Sequence, residues 1–237
     1  MPSARWAWVP AALPAMVLLS GCVSTQRVAA RARLVDARVL ASQTLPAVVR
    51  ANPEISVGAP IVIRGAAGSA VVVSLRNNAS RVLTDLPISV GVRTRHGRLE
   101  YLNRTENLDY FSTHVAAIGP HDVVVWVLTT ARPVSAGSQT FATVGFPQFH
   151  PSSHDELPRI AVSLRRDGAV SVTNDSAIPQ YDVPVYAVAI HAGREVAAGE
   201  ASVAHLGTHG HTSVSLTLLG DSRGAALRLI ALPTIFS

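Results

Sequence analysis

Cysteine is almost missing from this chain: among 237 residues it occurs once, at position 22. No intramolecular disulfide can form, so the fold must be held by apolar packing. Lysine is missing altogether, and all 20 basic residues are arginine, which reads as the mark of a GC-rich genome. The arginines form no dense run and no motif for reading DNA or RNA is present, which argues against a nucleic-acid partner. A long apolar run is also lacking. The uncharged stretch from Trp6 to Leu19 carries Pro10 and Pro14 and falls short of the roughly 20 residues that a membrane-crossing helix needs. There is no GxSxG elbow, HExxH pair, phosphate loop or recognisable pair of acids. Those absences point away from an enzyme and imply no cofactor. Hydrophobic residues nevertheless make up 48% of the chain, enough for real cores in one or two domains.

What is present begins at the N-terminus. Arg5, the apolar run and then Leu19-Ser20-Gly21-Cys22 follow the layout of a signal peptide over residues 1–21. The last four residues resemble the lipobox of bacterial lipoprotein precursors, a resemblance covering residues 1–22. It implies that the Cys22 sulfur carries a diacylglycerol, that the chain is cut before Cys22, and that the new amino group is usually acylated as well. Anchored by several acyl chains, the mature protein would sit on a membrane surface facing away from the cytoplasm. The alternative is a buried cysteine at the end of an ordinary secretory signal. Loss of residues 1–21 removes Arg5 and no acid, so the formal charge of +5 falls by one, a mild excess suited to an anionic membrane surface. After the anchor, residues 22–54 read as a basic tether with a possible helix at 26–42. Val28, Ala32, Val35 and Val39 share one stripe of that helix, with Arg27, Arg31 and Arg38 beside it. It either lies along anionic headgroups or docks on the domain that follows.

Self-comparison shows an internal repeat. VSLRNNASRVLTDLPISVGV (73–92) matches VSVTNDSAIPQYDVPVYAVA (170–189), placing Asn77, Asp85 and Pro87 on Asn174, Asp182 and Pro184 at equal spacing. Farther on, Ile118-Gly119-Pro120-His121 matches Leu206-Gly207-Thr208-His209, and Pro147 matches Pro233. Each copy reads as short strands rich in β-branched and aliphatic residues, with Asn, Asp, Gly and Pro between them. Val214, Leu216 and Leu218 alternate with Ser213, Ser215 and Thr217, as on a strand with one wet face. The expectation is an all-β chain of two tandem immunoglobulin-like β-sandwich domains, at 55–149 and 159–237, each of six or seven strands and joined by a polar linker at 150–158. The second copy, with its VTN turn, DVPVYAVAI strand and LGTHGHTSV turn, is similar to the small immunoglobulin-like modules of the FxLYD type in bacterial surface lipoproteins.

The copies also differ, and the differences suggest sites. Val123, Val125 and Val127 stand where the second copy has His211, Ser213 and Ser215. Tyr186, Val188 and Ile190 stand where the first has Ser89, Gly91 and Arg93. Apolar rows of this kind require cover, from an interdomain contact or from a partner protein. The segment after Gly97 is longer in the first copy and holds Tyr101, Asn103, Arg104, Tyr110 and Phe111. These residue types favour protein recognition, or else form an extra hairpin whose Tyr110 and Phe111 cap the core. His205, His209 and His211, and in the linker His150, His154, Asp155 and Glu156, are metal-ligand types. His209 has a counterpart in His121, which lacks those neighbours, so a shared turn explains it and no metal is expected. The resulting expectation is a membrane-anchored envelope lipoprotein that binds another envelope protein without catalysis. A metal-binding or chaperone lipoprotein using the histidines is the rival, followed by an enzyme with an interdomain site.

Overall fold

The computed structural model describes residues 48–94, 97–105, 108–147 and 157–235, together with Ala32 and Asp36. Those two are helical and exposed. The rest of the expected helix, the signal segment, Cys22 and the linker histidines lie outside the described residues.

The chain is all-β, with antiparallel sheets packed face to face. Its first half starts with β1 (Ile55–Val57), β2 (Ile61–Gly65) and β3 (Gly68–Asn77). β1 and β2 pair successive stretches of β3, Ile55 opposite Asn77 and Ile61 opposite Val72, and are parted at Pro60, which has no N–H for a ladder. β4 (Leu83–Arg93), β5 (Leu99–Tyr101), β6 (His114–Ile118), β7 (Val123–Thr130) and β8 (Gln139–Val144) follow, with a 3₁₀ turn at Tyr110–Ser112 before β6. β7 completes the β3 sheet along its whole length. β4 is the centre of a second sheet, flanked by β6 and β5 and by β8. The incoming chain is already fastened to that sheet: the Val48 N–H donates to Ser89 Oγ at 2.9 Å and the Asn52 N–H to the Val144 carbonyl at 2.9 Å.

In the second half β9 (Ile160–Leu164), β10 (Val170–Asn174) and β13 (His211–Val214) form one sheet. β11 (Gln180–His191), β12 (Arg194–Leu206), β14 (Leu219–Gly220) and β15 (Ala226–Ala231) form the other. β10 lies between β9 and β13 as β3 lies between β1 and β7, and β11 lies between β12 and β15 as β4 lies between β5/β6 and β8. The repeated residues hold repeated backbone. Asp85 and Asp182 both adopt positive φ (50° and 51°), and so do His121 and His209 (57° and 49°), conformations that Asn, Asp and His tolerate better than most side chains. Eight strands form in the first half, rather than six or seven, because the β1/β2 edge is interrupted and the inserted segment separates β5 from β6.

Burial follows the pleat. On β3 and β7, Val71, Val73, Trp126 and Leu128 share the face toward β4, with the Trp126 indole donating to the Phe111 carbonyl at 3.0 Å. Val72, Val125 and Val127 point the opposite way and are also buried. What covers them is the second half: β7 lies against β11 and β12, and Val125 and Val127 join Tyr186, Val188 and Ala198 in one continuous buried cluster. Each such valine contributes about 1.5–3 kcal/mol by leaving water. The other face of β11 carries Val183 and Val185 into a separate cluster with Val170 and Val172. The sheets therefore stack in four layers, the β3 sheet being covered on both faces. β14 closes the join, with Gly220 at φ 107° so near that a Cβ there would lie 2.7 Å from Ile63 Cγ2.

Candidate functional site

Where the halves meet, the segment before β6 stands apart from the second half and leaves a cleft of about 420 Å³. Its first wall is the 3₁₀ turn, whose fixed position follows from its own packing. Tyr110 stacks flat on the His114 ring (4.0 Å, 7°) and meets Phe111 edge-on (5.0 Å, 85°). Thr113 Oγ1 donates to the Tyr110 carbonyl at 2.9 Å. Asp109, exposed, and Ser112, buried, border the cleft from this side.

The opposite wall comes from β11 and β12. Tyr186 and Glu200 face each other across that strand pair, and with Asp182 and Ser202 they border the cleft. β7 contributes Thr129, whose N–H and Oγ1 both donate to Glu200 Oε1, at 2.7 and 2.9 Å. Glu200 is thus a polar bolt between the halves with one oxygen engaged. Burial pushes its carboxyl up to about 7, the Asp109 charge adding to the effect while the two Thr129 bonds oppose it. Burial, with the Glu200 charge second, also holds the Tyr186 hydroxyl well above its ordinary range. That hydroxyl has no hydrogen-bond partner among the described residues, although the side chain is only 1% exposed. No arginine or histidine lines the cleft among the described residues.

The residues expected to form a recognition loop separate into two groups. Asn103 is 1% exposed and serves the fold: its Nδ2 donates to the Ile88 and Ser112 carbonyls and its Oδ1 accepts from the Val90 N–H. It fills the gap in the ladder between β5 and β6, so it offers nothing to a partner. Tyr110 and Phe111 are likewise buried and cap the core. Tyr101 and Arg104 remain at the surface. Tyr101 meets Phe141 edge-on at 5.7 Å across Gly91, and the Arg104 guanidinium lies 4.6 Å above the Tyr101 ring. A Cβ on Gly91 would collide with Phe141 at 2.6 Å, so the bare glycine is what lets the ring lie down.

Of the apolar rows, Val125, Val127, Tyr186 and Val188 are buried at the junction and Ile190 is partly buried there. Val123 is 46% exposed at the end of β7, so it is not part of that contact. His205, His209 and His211 do not converge. His205 packs its ring against Tyr181 at 4.8 Å, His209 holds the positive-φ turn, and His211 opens β13. Among the described residues no three His, Cys, Asp or Glu side chains gather as for a metal ion. Glu200, Asp109 and Phe141 were not singled out by sequence reasoning. For Glu200 a signal existed, a single acid inside the small, apolar run Val196-Ala-Ala-Gly-Glu-Ala. No protein-family model matches the chain, and no curated protein matches it either.

Proposed function

We propose that this chain is a lipid-anchored protein of the bacterial envelope, a non-catalytic binding or assembly module in which each half is one immunoglobulin-like domain. The lipobox-like Leu19-Ser20-Gly21-Cys22 supports the anchor, and the matched strand order of the halves supports the domain reading. The observation that carries the binding role is the surface cluster of Tyr101, Phe141 and Arg104. Rigid aromatics with an arginine above them form the kind of anchor that dominates protein interfaces. They lie on the sheet to which Val48 is fastened, so a partner seated there would stand beside the membrane-side approach of the chain, as another envelope protein would.

Crosslinking and capture from intact membranes tests the reading. The full chain is expected in the membrane fraction and Cys22→Ala outside it, with one envelope protein captured by the wild type. Tyr101→Ala and Arg104→Ala should each weaken capture at least about tenfold at unchanged unfolding midpoint. Equal membrane retention of Cys22→Ala refutes the anchor. Lost stability with unchanged capture assigns Tyr101 and Arg104 a structural task instead.

A further inference from the structure

We propose that the cleft between the halves is a binding site for an organic cation, an alkylammonium or guanidinium group held by Glu200, Asp109 and the Tyr186 hydroxyl. This inference rests neither on the lipid anchor nor on the Tyr101 surface. Three carboxylates, Asp109, Asp182 and Glu200, border the cleft, while no basic side chain borders it among the described residues. In a chain whose formal charge is +5, that is a local reversal of sign. Acids alone do not make a site, but the Tyr186 hydroxyl supplies an independent observation. It is a buried polar group without a hydrogen-bond partner among the described residues, on a side chain that borders the cleft and is the cross-strand neighbour of Glu200. Leaving such a group unmatched costs about 1–3 kcal/mol, and a ligand donor restores the missing bond.

The geometry selects the chemistry. Glu200 spends Oε1 on Thr129 and keeps Oε2 without a hydrogen bond among the described residues. An ammonium has three donors and no acceptor. It satisfies Glu200 Oε2 and Tyr186 Oη together, with Asp109 adding charge from the opposite wall. The cleft volume of about 420 Å³ lies in the range of small-ligand pockets, roughly 300–1,000 Å³, and the Tyr110 and Phe111 walls suit an alkyl stem. A bare metal ion fits less well, because among the described residues no three ligating side chains converge. The titratable groups that border the cleft with Glu200 are Asp109, Tyr110, Asp182 and Tyr186. Arg228 on β15 shares the face of Tyr186 in the register but does not border the cleft.

Calorimetric titration of the full chain in detergent tests the site. The probes are cadaverine, agmatine and Nα-acetyl-lysine amide, with 1,5-pentanediol as the uncharged control. One cation per chain is expected, with affinity rising about tenfold from pH 6 to pH 8 as Glu200 ionises. Glu200→Gln should weaken binding about tenfold and abolish that pH dependence, and Tyr186→Phe should weaken it severalfold. Asp109→Asn, on the exposed side, serves as a variant with little structural risk and should weaken binding less. Binding of cadaverine or agmatine identifies a free amine or guanidine as ligand. Binding of the lysine amide alone identifies a basic side chain of a partner. Absence of saturable heat from every cation up to about 10 mM, pentanediol binding as well as cadaverine, or undiminished binding by Glu200→Gln and Asp109→Asn would each overturn the assignment.

Discussion

Asn77 and Asn174 show why particular residues recur in the two halves. Asn77 Nδ2 donates to the carbonyls of Arg81, Ile118 and Gly119 (2.7, 3.2 and 2.9 Å) while Oδ1 accepts from the Ala79 N–H. Asn174 repeats this with Ile178, Gly207 and the Ser176 N–H. Each is fully buried and clamps the end of one strand to the turn that starts another, the turn in which His121 or His209 takes positive φ. No apolar residue can do this, because the clamped carbonyls would be left unmatched. Replacing Asn77 or Asn174 with alanine should therefore cost about 3 kcal/mol, and aspartate at least as much, since it offers a charge where donors are needed. Urea unfolding measures this, and a loss below about 1 kcal/mol would show that the clamp is dispensable. The same chemistry explains what the sequence made legible. A residue that satisfies an unusual backbone leaves a spacing signature, so Asn77, Asp85 and His121 exposed the repeat. Asn103 misled for the converse reason: an amide bonded to the edge of β4 and an amide awaiting a partner are the same letter in the sequence.

At the level of elements, the contact between β12 and β7 has a pair of hydrogen bonds from Thr129 to Glu200 at its edge and a hydrophobic centre. Its hydrophobic half was readable, because apolar residues at positions where the other copy is polar demand cover. Its polar half was not, since Thr129 and Glu200 lie far apart in the chain and nothing local pairs them. The cleft was hidden for the same reason, its walls coming from four separate stretches. Glu200 makes this contact pH-sensitive. Its carboxyl is pushed up to about 7 from an ordinary 4.5, chiefly by burial. Between those values the folded chain keeps a proton that the unfolded chain has released. Stability owed to this group therefore falls as pH rises through that window and levels off above it. Glu200→Gln keeps an oxygen for Thr129 but cannot ionise. It should gain up to about 3 kcal/mol at alkaline pH and change little at pH 4. Unfolding midpoints of the two proteins across that pH range measure the gain, and parallel curves would place the carboxyl at its ordinary value.

At the scale of the whole molecule, the halves join head to tail: the β3 sheet of the first meets the β11 sheet of the second. A contact of that kind uses two different faces, so each half retains one face that a further copy would match. Both ends are closed to such growth. The second half shows exposed His211, Ser213 and Ser215 where the first shows Val125 and Val127 to its neighbour. The first half places Ser89, Gly91 and Arg93 where the second has its buried Tyr186 and Val188, and Val48, Tyr101 and Phe141 lie over them. A polar face at one end and a covered face at the other terminate the stack as capping repeats do. Between the ends the core is continuous, and one cluster runs from Leu83 on β4 through Val127 to Val188 on β11. Such continuity makes the halves unfold together rather than in sequence. Trp126 reports on this, since it is the only tryptophan besides Trp6 and Trp8 and lies wholly within the first half. With Trp6 and Trp8 changed to phenylalanine, its fluorescence transition in urea should coincide with that of far-ultraviolet circular dichroism. Val188→Asp, which puts a charge into the second half's side of the junction, should lower that fluorescence midpoint by an amount corresponding to about 3 kcal/mol or more. If Trp126 unfolds at an unchanged urea concentration while the dichroism splits into two steps, the first half is stable without its neighbour and the shared core is a contact between independent units.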